Sequence, residues 1–93
     1  MFRRDLIDWL LENPMSVNEL ARELGEQPRE VEEDLRHLLR SLKHQPYRAV
    51  VTPAQCRKCG FIFRSEKLIK PGKCPECHGT WIAEPLVAIE AAR

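Results

Sequence analysis

The four cysteines of this chain fall as two Cys-x-x-Cys pairs, Cys56 with Cys59 and Cys74 with Cys77, separated by the fourteen residues Gly60 to Lys73. A turn with two intervening residues aims both sulfurs at one point. Two such turns joined by a short hairpin supply four thiolates, the donor set of a closed, tetrahedral structural zinc site. Two disulfides are the alternative, but small disulfide-stapled domains rarely confine all their cysteines to one short segment. Iron accepts the same four thiolates, as in rubredoxins, so zinc is expected and iron is the variant.

With 93 residues, the chain makes one small domain or a domain carrying an accessory module, and buries a limited fraction of its surface. A metal therefore contributes to folding: structural zinc supplies about 10 kcal/mol or more of apparent binding free energy to a small module. No apolar run approaches the roughly 20 residues needed to span a bilayer. The start, Met1 to Asp5, does not lead into an apolar core of signal-peptide type, so a cytoplasmic protein is expected.

The formal charge is +1; four thiolates around a divalent ion would bring it to about −1. The distribution is more informative. Residues 1–47 hold seven Lys/Arg against ten Asp/Glu, and residues 48–93 hold eight against four. A basic bias thus falls on the cysteine-bearing half, where it could face phosphates, although such surfaces also serve solubility.

Apolar spacing predicts three helices. Phe2, Leu6, Trp9 and Leu10 form one stripe of a first helix ending before Pro14. Ser16, with Glu19 three residues on, has the capping-box pattern; Val17, Leu20, Ala21 and Leu24 supply the apolar side, and Gly25 stops the helix. Pro28 suits the first turn of a third helix carrying Val31, Leu35, Leu38, Leu39 and Leu42. Residues 43–47 read as a connector. The pattern then changes: Ala49 to Thr52, Phe61 to Phe63, Trp81 to Ala83 and Leu86 to Ile89 read as strands, and Pro71-Gly72 as a turn.

Ala21 with Gly25 four residues later reads as a helix-turn-helix, with the third helix in the recognition position. That helix opens on Glu30, Glu32, Glu33 and Asp34. Carboxylates there suit the helix dipole, but they oppose the phosphate attraction that dominates DNA affinity. Arg29, Arg36, His37 and Arg40 are the counterweight, although Glu32 and Arg36 stand at a spacing where they can satisfy each other.

The helix-turn-helix, the following strand, the run Gln55, Cys56, Arg57, Lys58, Cys59, Gly60, Phe61, and Cys74, Pro75, Glu76, Cys77 followed by Trp81-Ile82 resemble archaeal predicted transcriptional regulators that fuse a winged helix to a zinc ribbon. The resemblance covers nearly the whole chain. It implies an α+β fold: a winged helix-turn-helix of three helices and a small antiparallel sheet, residues 1–55 and 80–93, with a rubredoxin-like zinc ribbon, residues 56–79, inserted in the wing. It maps the ligands to Cys56, Cys59, Cys74 and Cys77 and implies a regulatory role. One departure is His78, which stands where rubredoxin-type knuckles commonly place glycine. His78 is read as a surface residue, since four thiolates already fill a tetrahedron. Phe61, Phe63 and Trp81 are read as cover for the metal and packing for the helices, with base stacking as the rival role.

The leading expectation is a DNA-binding regulator whose second and third helices meet the major groove of double-stranded DNA while Arg57, Lys58, Arg64, Lys67, Lys70 and Lys73 touch its backbone. The alternative is an adaptor whose acidic third helix docks a basic protein of the transcription apparatus; a rubredoxin-like electron carrier is a third. No nucleophile, base and orienting group stand together, and a closed site leaves no position for water, so no enzyme is expected. A homodimer would suit a palindromic site, with Leu86 to Ile89 as an edge strand that could join subunits, although closing its own wing is the simpler role for that segment.

Overall fold

The computed structural model describes residues 4–91. Three helices are followed by two antiparallel strand pairs: α1 Arg4–Leu10, α2 Val17–Leu24, α3 Pro28–Ser41, then β1 Tyr47–Thr52, β2 Gln55–Cys56, β3 Ile82–Ala83 and β4 Leu86–Ala91.

The helix boundaries follow local chemistry. Ser16 caps α2 reciprocally: its hydroxyl accepts from the Glu19 amide at 3.1 Å, and its own amide donates to the Glu19 carboxylate at 3.1 Å. Such a cap is worth about 1 kcal/mol. Gly25 ends α2 in the left-handed conformation, φ 68°, which glycine adopts without a Cβ penalty. Pro28 opens α3, where its missing N–H costs nothing. A 3-10 turn at Leu42–His44 leads toward β1 and occupies the first part of the expected connector, whose last residue, Tyr47, already opens β1.

The core is one cluster built from all three helices and β4, including Leu6, Leu10, Val17, Leu20, Val31, Leu35, Leu38, Val87 and Ile89. One expectation for α1 needs revision: Trp9 is 39% exposed, while Ile7 is buried in its place. Phe2, expected on the same stripe, lies outside the described residues. The buried stripe is thus Leu6, Ile7 and Leu10, set about one residue round the helix from the one expected.

β1 and β4 pair along their full lengths, from Tyr47 opposite Ala91 to Thr52 opposite Leu86. Their outer pair Arg48 and Glu90 forms a salt bridge at 2.8 Å. β4 is held on its other side too: Met15 and Val87 exchange backbone hydrogen bonds of 3.0 and 2.8 Å, and the Glu12 amide donates to the Ile89 carbonyl at 2.7 Å. β4 is therefore a central strand, with no free edge for another subunit along that stretch. β1 is the exposed one.

The segment between Thr52 and Leu86 carries the second pair. Gln55 pairs with Ala83 and Cys56 with Ile82. The expected strand at Phe61 to Phe63 is reduced to a single bridge, Ile62 to Gln55, because the chain turns into a long loop directly after it. That loop is not free of the body. Leu68 is 2% exposed and belongs to the helical core cluster, with Ile69 packed against the same cluster. The Asn18 side-chain amide of α2 also donates to the Glu84 carboxylate at 2.6 Å. No helix among the described residues is long and apolar enough to cross a membrane.

Candidate metal centre

The two cysteine turns have matching backbones. In the first, the Cys56 amide donates to the Phe61 carbonyl at 2.8 Å and the Gly60 amide to the Cys56 carbonyl at 3.0 Å; in the second, the Cys74 amide donates to the Gly79 carbonyl at 2.9 Å and the His78 amide to the Cys74 carbonyl at 2.9 Å. Each turn reverses through a left-handed residue directly after its second cysteine. In the first that residue is Gly60, φ 83°; in the second it is His78, φ 62°. The departure at His78 is therefore absorbed: a side chain occupies a conformation that costs an L-residue about 1–2 kcal/mol. Glycine appears one position later, where a Cβ on Gly79 would stand 3.3 Å from the Cys77 sulfur.

These turns bring four sulfurs together. All lie within 4.8 Å of one another, with Cys56 and Cys77 at 3.5 Å and Cys59 and Cys74 at 3.6 Å. A zinc ion with Zn–S bonds of about 2.3 Å places tetrahedral sulfurs about 3.8 Å apart. The cluster fits one ion. Cys56 and Cys74 are buried and Cys77 is half-buried, while Cys59 reaches the surface. His78 is exposed and stands outside the set.

Thiol electrostatics fit the same purpose. Backbone N–H groups of Cys59 and Lys58 point at the Cys56 sulfur and, against the pull of desolvation, lower its pKa from 9.0 to about 6. The Phe61 amide acts likewise on Cys59, but desolvation and the neighbouring thiols Cys74, Cys56 and Cys77 outweigh it and raise that pKa to about 12. Four sulfurs this close cannot all be thiolates without a cation between them. Zinc supplies that charge, and in a four-thiolate shell it acts as a cross-link.

The aromatic side chains divide by strand parity. Ala54, Cys56 and Ile82 are buried and mark the inner side of the ribbon. Phe61 and Phe63 fall on that side; they are half-buried and pack edge-to-face on each other at 5.0 Å, without joining the helical core cluster. Trp81 has the opposite parity and is 66% exposed. The expectation that it covers the metal is corrected: it faces solvent.

The ten candidate nucleic-acid residues, Arg29, Arg36, His37 and Arg40 on α3 and Arg57, Lys58, Arg64, Lys67, Lys70 and Lys73 beyond it, are all exposed. Arg36 is engaged, its guanidinium held at 3.0 Å by Glu32. Leu68, which ties the ribbon loop to the core, was not singled out from the sequence; an isolated Leu-Ile pair in a loop carries no periodicity to reveal it.

Fold and site together define a small α+β protein of three helices and antiparallel strands with a four-cysteine zinc ribbon. Residues 53–92 match the PF0610 rubredoxin-like zinc beta-ribbon domain, and residues 2–50 match the PF0610-like N-terminal domain. The chain belongs to the PF0610-like family. The solution NMR structure of protein PF0610 from Pyrococcus furiosus aligns with a TM-score of 0.76 at 36% identity, covering 94% of this chain and 86% of that one. No curated protein matches the chain.

Proposed function

We propose that the protein is a winged helix-turn-helix regulator of transcription, cytoplasmic and non-enzymatic, in which α2 and α3 form the helix-turn-helix and β1 and β4 the wing. On this reading residues 1–55 and 80–93 are the winged unit, and residues 56–79 are a zinc ribbon inserted in it. The Gly25 turn and the pairing of β1 with β4 across the ribbon support that layout.

The observation that carries a DNA-binding role is the state of the ribbon cations. Arg57, Lys58, Arg64, Lys67, Lys70 and Lys73 are all exposed, and none makes an ion pair among the described residues. α3 offers less, since Glu32 occupies Arg36. We therefore assign most of the phosphate contact to the ribbon and a lesser share to Arg29, His37 and Arg40.

Fluorescence anisotropy of the zinc-loaded protein with a labelled duplex, over a range of salt, tests this. Four cations on phosphates give a slope of log K against log salt of about −3.6; a slope near zero, or no binding at low salt, rejects the reading. The exposed Glu30 and Glu33 at the start of α3 favour a second reading, an adaptor docking a basic protein. The double variant Glu32→Lys/Glu33→Lys separates them: duplex affinity rises on the first reading, and partner affinity falls on the second.

A further inference from the structure

The outward side of the ribbon carries an exposed aromatic that the metal site does not use. Ile62 bridges to Gln55, Gln55 pairs with Ala83, and the Arg57 amide donates to the Trp81 carbonyl at 2.8 Å. Direct pairing puts Gln55, Ile62 and Ala83 on one face, and the Arg57 to Trp81 backbone bond continues that pairing one step past the strand ends, bringing Arg57 and Trp81 alongside. Trp81 is 66% and Ile62 60% exposed. Gln55 and Arg57 are exposed beside them, and Lys58 follows at the rim. This face is three strand paths wide, about 10 Å at ordinary strand spacing.

We propose that this face binds single-stranded nucleic acid, with a base stacked on the Trp81 indole and the flanking phosphates held by Arg57 and Lys58. Three features select this occupant. An exposed indole on a pleated surface stiffened by a metal knuckle is a ready stacking plane, and every base has a π-face to offer it. The charged group on the face is a cation, and none of its five positions carries a carboxylate; Glu84, next to Ala83, points the other way and is held by Asn18. Gln55, whose amide nitrogen donates to the Gly60 carbonyl at 3.4 Å, keeps a second N–H and its carbonyl oxygen for a base edge. An acidic peptide shares the charge requirement but has no regular series of flat faces, and the apolar area of one Trp and one Ile is small for a protein hot spot. The site shares Arg57 and Lys58 with the duplex contact proposed above, but its stacking residue, Trp81, takes no part in that contact.

Intrinsic fluorescence reads the proposal directly, because the chain has two tryptophans and Trp9→Phe leaves Trp81 as the sole reporter. The zinc-loaded full chain carrying Trp9→Phe is titrated with deca-deoxythymidine, deca-uridine, a ten-base-pair duplex and an acidic, phenylalanine-containing decapeptide. The expected result is quenching of Trp81 by the single strands, with a salt slope of about −1.4 for two phosphates. In anisotropy with the otherwise unaltered chain, Trp81→Ala weakens single-strand binding by about 5- to 150-fold, while zinc content and thermal midpoint stay unchanged. The deoxy and ribo strands then decide which backbone is preferred. Absence of quenching at sub-millimolar strand, single-strand affinity unmoved by Trp81→Ala, or tighter quenching by the acidic peptide than by either strand overturns the proposal. Duplex affinity measured on the same variant keeps the two readings distinct, since a regulator using α3 and the remaining ribbon cations retains duplex binding when Trp81 is lost.

Discussion

Replacing Leu68 by alanine should unfold the helices more easily, although Leu68 lies far along the chain from all of them. The side chain is 2% exposed and belongs to the core cluster formed by α1, α2, α3 and β4. The metal fixes the two ends of its loop at Cys59 and Cys74, and Leu68 pins the middle to the body. Truncating a buried leucine costs about 2–5 kcal/mol. A loop can relax inward, so the lower part of that range, about 2–3 kcal/mol, is expected. Against a total of about 5–14 kcal/mol for a chain of this size, that is a large fraction, equivalent to a fall in thermal midpoint of about 10–20 °C. The assay is denaturant unfolding of the zinc-loaded protein followed by helical circular dichroism, with zinc content measured alongside. Trp81→Ala is the control: an exposed ribbon side chain should change stability by less than about 0.5 kcal/mol. If Leu68→Ala leaves the helical transition within about 0.5 kcal/mol of the parent while zinc is retained, the ribbon is a separate bead and the packing argument fails.

Two further outcomes concern the metal centre. Zinc uptake should release protons, and because Cys56 titrates near 6 in the metal-free protein, fewer than four should be released at pH 7.5 from the four thiols. A lowered thiol pKa favours the metal-free fold from the unfolded value of 9.0 upward, an advantage lost as pH falls through about 6, whereas the raised Cys59 opposes that fold as pH climbs from 9.0 toward 12. Indicator-dye titration that counts four protons at pH 7.5 would contradict the Cys56 assignment, and more than four would exclude the ligand set. The two left-handed knuckle residues should respond with opposite signs: Gly60→Ala destabilises by about 1 kcal/mol, and His78→Gly is neutral or stabilising by up to about 1 kcal/mol. Thermal unfolding of the zinc-loaded variants checks both, and a loss of stability in each would mean that His78 makes a contact worth more than its backbone strain.

What was legible in the sequence is what local chemistry decides. The paired Cys-x-x-Cys turns, the Ser16–Glu19 box, Gly25 and Pro28 each act over four or five residues, and each does what its residue types require. The rest depends on partners distant in sequence. Trp81 and Ile82 are neighbours, and alternation says that one faces in and one out, but only the pairing of Ile82 with the buried Cys56 decides which. Composition favoured burying the larger side chain, and the phase of the strand overrode it. Ile7 displaces Trp9 from the core for a similar reason: just beyond α1, the Glu12 to Ile89 and Met15 to Val87 backbone bonds tie the chain to β4, a constraint distant in sequence that bears on which face of the helix meets the core. β2 is two residues long, too short for any pattern, and exists because the Cys56 turn needs a partner strand.

Charge and anchoring together narrow how a partner can approach. The first 47 residues carry ten acidic against seven basic side chains, and the remaining 46 carry four against eight. Two negative charges from a zinc tetrathiolate lower the second balance from about +4 to about +2, so the ribbon half stays basic with its metal in place. On α3 the acids at the start of the helix remain exposed or partly exposed, and Arg36 is drawn back onto its own helix by Glu32. A polyanion approaching α3 head-on would meet carboxylates first, whereas one approaching the ribbon meets six cations without ion-pair partners among the described residues. Because the ribbon emerges between paired strands and returns Leu68 to the core, it does not swing freely to present those cations elsewhere. If duplex DNA binds, neutralising two or more ribbon cations should therefore cost more affinity than removing Arg29 and Arg40 together, and the reverse order would mean that α3 leads despite its acids.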